Sequence, residues 1–351
     1  MNALPLPSFN PRPDFNRLLA VLQRQVPERP VLFEFFLNDH LYARLVPEFP
    51  SILTEQDRIR RLILAFTRAG YDYTTLLLPG SSLYLPSVSR AKEKSVSQNE
   101  GVLIKNAQDL RAYPWPDPDQ FHYELLDELA PYLPDGMRWV VYGPGGVLEN
   151  AIDLAGYEPL CVMIKEDPHL AEALFAEIGA RLERYYQLAA RHASVGACIS
   201  NDDWGFKTHT LFNTADMRRF VFPWHRRITA AIHAAGKPAI LHSCGHFERV
   251  IEDVIVDMAY DGRHSYEDTI LPVEQAYERY HQRIAILGGI DVDFICRSEP
   301  AQVYQRSRAM LARAAGRGSF ALGTGNSVPD YVPDEGYFAL LQAAIESWQE
   351  K

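Results

Sequence analysis

Ala239-Ile240-Leu241-His242-Ser243-Cys244-Gly245-His246 is the stretch on which the reading of this chain turns. An apolar run ends in His-x-Cys, and a glycine follows. Side chains alternate faces along a strand, so His242 and Cys244 share one face while Ser243 points away. An imidazole and a thiolate side by side at a strand end supply half of a zinc site, and the glycine lets the backbone turn off. Cysteine is also among the most buried residue types. The weight of the pair therefore rests on where it falls among its neighbours.

Those neighbours alternate. Strand-like runs are expected at Val31–Phe36, Tyr73–Leu78, Arg138–Tyr142, Ala197–Asn201, Ala239–His242, Asp257–Asp261, Ile284–Gly288 and Ser319–Leu322. Helical patterns fall between them, at Glu55–Ala69, Pro168–His192, Thr214–Ala234, Phe247–Ile255, Pro300–Ala315 and Asp334–Gln349. Eight strands alternating with helices predict an α/β fold of the (β/α)8 TIM-barrel type, read as one domain over residues 1–351. Phe15–Gln25 reads as an N-terminal helical extension covering the bottom or side of the barrel. The long gap after strand two, with its Pro79-Gly80-Ser81-Ser82 turn and the Lys92–Gln98 stretch, reads as an excursion over the mouth, where functional lids are found.

The 351 residues are 47% hydrophobic and 23% charged, enough apolar material for a large core. A net charge of −10, with no Lys/Arg-rich run, argues against nucleic acid and anionic membranes as partners. The first residues carry no basic region followed by an apolar one, and no apolar stretch approaches the roughly 18 residues that span a bilayer. Four scattered cysteines (Cys161, Cys198, Cys244 and Cys296) suit a reducing compartment, and the expectation is a cytoplasmic protein.

In such a barrel the chemistry sits at the C-terminal ends of the strands. Polar residues gather there: Asn38-Asp39-His40, Asn201-Asp202-Asp203-Trp204-Gly205, His242 with Cys244, Arg263-His264-Ser265-Tyr266-Glu267-Asp268, Gly289-Ile290-Asp291 and Gly323-Thr324-Gly325-Asn326-Ser327. Turn chemistry accounts for part of this, since Asp, Asn and Gly also build loops. Asp202 or Asp203 either caps the helix near Thr214 or joins the chemistry. His264 is either a hydrogen-bonded core histidine or a catalytic one. Gly323-Thr324-Gly325-Asn326 is a weak phosphate-nest pattern. Cys296 lies in a helix-like Asp291–Cys296 segment and reads as packing.

Ile240-Leu241-His242-Ser243-Cys244-Gly245, Asp202-Asp203-Trp204-Gly205, Gly143-Pro144-Gly145-Gly146, Gly288-Gly289-Ile290-Asp291 and Gly323-Thr324-Gly325-Asn326-Ser327 together resemble the uroporphyrinogen decarboxylase superfamily, from about Pro30 to Leu341. The resemblance implies the same (β/α)8 barrel. It also offers two chemistries. Uroporphyrinogen decarboxylases use no metal and grip their polycarboxylate substrate with an N-terminal segment like Arg-Gln-Ala-Gly-Arg. Here that region reads Phe33-Glu34-Phe35-Phe36-Leu37-Asn38-Asp39-His40, with no arginine until Arg44. Those enzymes also tend to carry Gly-His-Gly where this chain has Gly323-Thr324-Gly325. A substrate of eight carboxylates needs several cationic anchors, which this segment does not offer.

The other branch is similar to zinc- and corrinoid-dependent methyltransferases, whose ligands are His-x-Cys and a later cysteine near strand eight. His242 and Cys244 match; Asn326 stands where the later cysteine would be. The resemblance therefore implies a metal held by His242, Cys244 and a third group: Glu267 in preference to Asp268, or the Asn326 amide oxygen, or a water. Asp203, His264 and Asn326 are the expected catalytic residues. With one thiolate fewer, the ion is more electrophilic, which favours demethylating a methoxylated small molecule over activating a thiol. The methyl group would pass to a corrinoid on a separate partner protein docked over the mouth. Trp204, Phe206 and Tyr266 either build an aromatic-accepting pocket or belong to the core. The alternatives are a metal-free decarboxylase or lyase, with Asp203 stabilising a cation and His264 donating a proton, and a non-catalytic corrinoid or tetrapyrrole carrier.

Overall fold

Short apolar runs that are buried on both faces need helices to cover them, and that requirement organises the chain. A computed structural model describes residues 6–49, 54–83 and 102–349. Its eight strands are β1 (Val31–Leu32), β2 (Tyr73–Leu76), β3 (Arg138–Tyr142), β4 (Val195–Asn201), β5 (Ala239–His242), β6 (Gly262–His264), β7 (Ala285–Leu287) and β8 (Phe320–Leu322). All pair in parallel, in the order β1-β8-β7-β6-β5-β4-β3-β2. This is the expected TIM-barrel-like α/β architecture, the sheet curling round with its helices outside.

Among the described residues no backbone ladder joins β1 to β2, and side chains bridge that seam. The Tyr73 hydroxyl accepts from the Glu34 N–H and donates to the Glu34 carbonyl, both at 2.6 Å, and the Thr75 hydroxyl donates to the Phe35 carbonyl at 2.7 Å. This explains why β1 is two residues long where Val31–Phe36 was expected. Beyond Phe33, whose N–H bonds Leu322, the backbone finds side-chain partners rather than a neighbouring strand.

Strand six is a correction. It was expected at Asp257–Asp261 and lies at Gly262–His264. Asp253–Asp257 winds instead into a π-helical turn, and Ala259 (φ 56°) reverses the chain. A glycine opening the strand hides it from propensity, yet space demands that glycine. A Cβ on Gly262 would come within 2.7 Å of Leu22 and 2.9 Å of Leu287. The shift moves Arg263 and His264 from the loop into the strand.

The helices Glu55–Ala69 and Asp334–Gln349 match expectation, and Pro300–Ala314 differs by one residue. The first opens on a Thr54–Asp57 capping box and stops at Gly70 (φ 95°). Pro168–Ala189 stops short of His192. Thr214–Ala234 is broken by a π-helical turn at Met217–Val221, just before Pro223, which cannot donate an N–H to the preceding turn. Phe247–Ile255 does not form a helix over its predicted length. The N-terminal helix, Phe15–Leu22, does close the barrel bottom: Phe15 packs where a Cβ on Gly196, near the start of β4, would collide with its ring at 2.5 Å. Lys92–Gln98 lies outside the described residues. No described helix is long and apolar enough to cross a membrane.

Candidate metal site at the barrel mouth

Strand register assembles the site. Asn201 of β4 pairs with His242 of β5, which pairs with His264 of β6. Two residues past the first pair, Asp203 and Cys244 therefore leave adjacent strands side by side. The turns are locked together: the Cys244 N–H donates to Asp203 Oδ1 at 2.9 Å, and the Trp204 N–H to Ser243 Oγ at 3.2 Å. Gly245 (φ 108°) presses on the backbone of Gly205, where any Cβ would sit 2.5 Å away. The outcome is that one ligand atom from each of Asp203, His242 and Cys244 lies within 4.8 Å of the others.

Burial sets the charge state of this trio. It lowers His242 to about 3, so the imidazole is neutral and keeps a lone pair. Burial, reinforced by the Asp203 carboxylate, pushes the Cys244 thiol up to about 12, and burial also raises Asp203. One neutral nitrogen, one sulfur and one oxygen, brought within 4.8 Å of one another, fit a divalent zinc-type ion. Such an ion would displace the thiol proton and relieve the crowding of sulfur against carboxylate. Asp203 and Cys244 keep part of their surface exposed, while His242 is buried beneath them.

Cys244 has two donors. Asn326 Nδ2 reaches its sulfur at 3.2 Å and Ser265 Oγ at 3.5 Å. Ser265 sits at φ 90°, a strained backbone for a non-glycine residue, and such strain gathers at functional sites. The Asn326 amide oxygen is taken up by the Ser327 N–H at 2.7 Å, so this residue offers the sulfur a donor and directs its oxygen elsewhere.

The remaining expected residues fall as follows. Glu267 stands 3.7 Å from Lys207 on a cavity wall, and Asp268 is clamped by Arg306; the carboxylate that joins His242 and Cys244 is Asp203. His264 is fully buried behind His242, with 2.8 Å between their Nδ1 atoms. Asp202 caps the helix Val147–Ala155, accepting from the Leu148 and Glu149 N–H groups, and also takes bonds from Trp204 Nε1 and His225 Nε2. Trp204 is core, packed on Phe222, His225 and Phe247. Phe206 is exposed, and Cys296 lies in the helix Val292–Arg297.

Sequence reasoning missed Glu34. It is wholly buried, and that burial pushes it up to about 8 despite bonds from the Thr324 hydroxyl and the Thr324 and Phe35 N–H groups. A lone acid within Phe33-Glu34-Phe35-Phe36 was the available signal.

Two cavities lie at the strand ends, one reaching Asn326 and the other Asn201. One of about 790 Å³ is lined by Tyr266, Glu267, Asp291, Gly325, Asn326 and Tyr331, so one of the two donors to Cys244, Asn326, also forms its wall. The other, about 620 Å³, is lined by Arg58, Pro79, Tyr142, Gly145, Glu149 and Asn201 and includes the expected Pro79–Ser82 turn.

The family model described as uroporphyrinogen decarboxylase (URO-D) matches residues 92–347. A protein named uroporphyrinogen decarboxylase from Anaeromyxobacter sp. (strain Fw109-5) is 26% identical over 296 residues, 78% of this chain and 80% of that protein. A solved structure of a methyltransferase from Methanosarcina mazei superposes with a TM-score of 0.71 at 16% identity, covering 95% of this chain and 98% of that one.

Proposed function

The chain belongs to the uroporphyrinogen decarboxylase family, and within it we propose a metal-dependent methyltransferase that moves a methyl group between a methylated small molecule and a corrinoid carried on a separate protein. The single observation that carries this reading is the gathering of Asp203, His242 and Cys244 ligand atoms within 4.8 Å at the strand ends. A decarboxylase of a polycarboxylate has no use for a buried thiol beside an imidazole. The segment after β1 contributes a buried acid, Glu34, where an anion clamp would need arginines.

His242, Cys244 and Asp203 would hold the ion, with zinc the best match to one nitrogen, one sulfur and one oxygen. When bound, that ion supplies Lewis acidity to the oxygen or sulfur that loses or gains the methyl group. The chain's own residues do the rest. Asn326 and Ser265 donate to the Cys244 sulfur and hold it against Asp203. With a single thiolate, the site suits polarising a methyl ether, so a methoxylated small molecule is the proposed donor, seated in the 790 Å³ cavity beside Asn326 and Tyr266. The partner's corrinoid would approach from the strand-end side, where the trio lies.

The test is elemental analysis of the purified protein, followed by methyl transfer from a methoxylated aromatic to free cob(I)alamin, read by its absorbance. About one metal per chain is expected for a three-ligand site. In Cys244→Ala, metal and transfer should be lost together. A metal-free protein with decarboxylase activity would replace this reading with the decarboxylase one.

A further inference from the structure

His242 has two ring nitrogens, and only the one carrying a free lone pair can bind a metal. Which nitrogen that is follows from a chain of bonds running inward from the site. The Thr324 carbonyl can only accept. It takes the Gly289 N–H at 2.8 Å and faces His264 Nε2 at 3.3 Å. His264 Nε2 must therefore carry a proton. A neutral imidazole carries only one, so His264 Nδ1 is left as an acceptor. That nitrogen lies 2.8 Å from His242 Nδ1, and the contact needs a proton between them. Only His242 can supply it.

We propose that His264 is a positioning residue: it holds His242 as the Nδ1–H tautomer and so leaves the His242 Nε2 lone pair as the ligand of the site.

The surroundings fit a fixed relay. His264 has no exposed surface, and its ring lies against Phe33, with 5.1 Å between ring centres. Gly288 (φ 68°) leaves the space the ring needs, since a Cβ there would stand 2.9 Å from its Cδ2 and Nε2. Phe35 covers His242 from the other side, with ring centres 4.5 Å apart. Both rings are buried, and the partners of His264 are a carbonyl and a second imidazole rather than a carboxylate, so the sequence of donors runs through one proton per ring. The usual partner of a metal-bound histidine is a carboxylate or a backbone carbonyl. A neutral imidazole in that place adds no negative charge behind the ligand, which would leave a bound ion more electrophilic.

The consequence for metal rests on the function proposed above; the tautomer does not. Metal-free protein labelled with ¹⁵N-histidine reports it directly, with the His242 signals assigned by their loss in His242→Gln. A protonated Nδ1 and an unprotonated Nε2 are expected, and the reverse pattern overturns the proposal. Cobalt(II) affinity, read by its absorption bands and by chelator competition, gives the second readout. His264→Phe, which removes the acceptor, should weaken binding about 10- to 100-fold. His264→Gln, whose amide oxygen accepts from His242, should restore most of it. Equal affinity in His264→Phe and the wild type overturns the proposal. The expected tautomer in a protein that binds no cobalt would instead count against the metal-dependent function.

Discussion

Cys244 and Asp203 meet because two turns lie backbone to backbone, and each side chain answers for part of the proposed metal site. Asp203→Asn keeps the shape and the bond from the Cys244 N–H but removes the negative charge. It should weaken zinc binding at least tenfold in chelator competition while leaving the denaturation midpoint nearly unchanged. Glu34 makes a different prediction, in stability against pH. Its folded-state value of about 8 lies above the usual carboxylate value, so the folded protein keeps a proton that the unfolded chain releases. Stability should therefore fall as pH rises from about 4.5 to about 8, by up to about 1.4 kcal/mol per pH unit from this one group. Glu34→Gln, already neutral, should flatten that slope in urea titrations; an unchanged slope would show that Glu34 ionises freely. At this scale His242 and Cys244 were legible, because an apolar run, a two-residue spacing and a glycine all lie within one segment. Asp203 in place of Glu267 was not. The choice depends on which carboxylate the register of β4 against β5 sets beside the sulfur, and Glu267 turns to Lys207 instead.

At the scale of elements, the strands were legible wherever β-branched and apolar residues ran together, as in β3 and β5. Strand six was not, because its two defining residues are a glycine that clears space for Leu22 and Leu287 and a buried arginine. Arg263 is tolerated there by lying between the Phe247 and Tyr266 rings, 4.4 and 4.7 Å from their centres. The turns after β4 and β5 carry the sharpest elemental test. Gly245→Ala would force a side chain into the Gly205 backbone at a left-handed φ. It should cost roughly 2 kcal/mol or more in urea unfolding and lower metal content, since the Asp203–Cys244 contact depends on that approach. A variant with wild-type stability and metal content would mean the two turns do not hold each other.

Across the molecule, the barrel's weak line is the β1–β2 seam. The Tyr73 hydroxyl serves both the N–H and the carbonyl of Glu34, so Tyr73→Phe leaves two buried backbone groups without that partner. The expected loss is about 1–3 kcal/mol. It should be accompanied by faster hydrogen exchange in the segment after β1, compared with the same segment in the wild type. The eight-fold alternation of strand and helix made the architecture legible from the sequence. The seam was not, because Val31–Phe36 reads as an apolar run interrupted by Glu34 alone, and only the packed structure shows the Glu34 and Phe35 backbone bonded to the Tyr73 and Thr75 hydroxyls rather than to a strand ladder. A ligand that binds only the folded state stabilises the whole, by about 2.7 kcal/mol at a hundredfold excess over its Kd. Zinc should thus raise the unfolding midpoint of the wild type and leave that of Cys244→Ala unmoved. The most direct measurement is X-ray absorption at the zinc edge of the loaded protein: one sulfur neighbour at about 2.3 Å with nitrogen and oxygen at about 2.0 Å is the predicted shell. Two sulfur neighbours, or none, would contradict a site made by Asp203, His242 and Cys244.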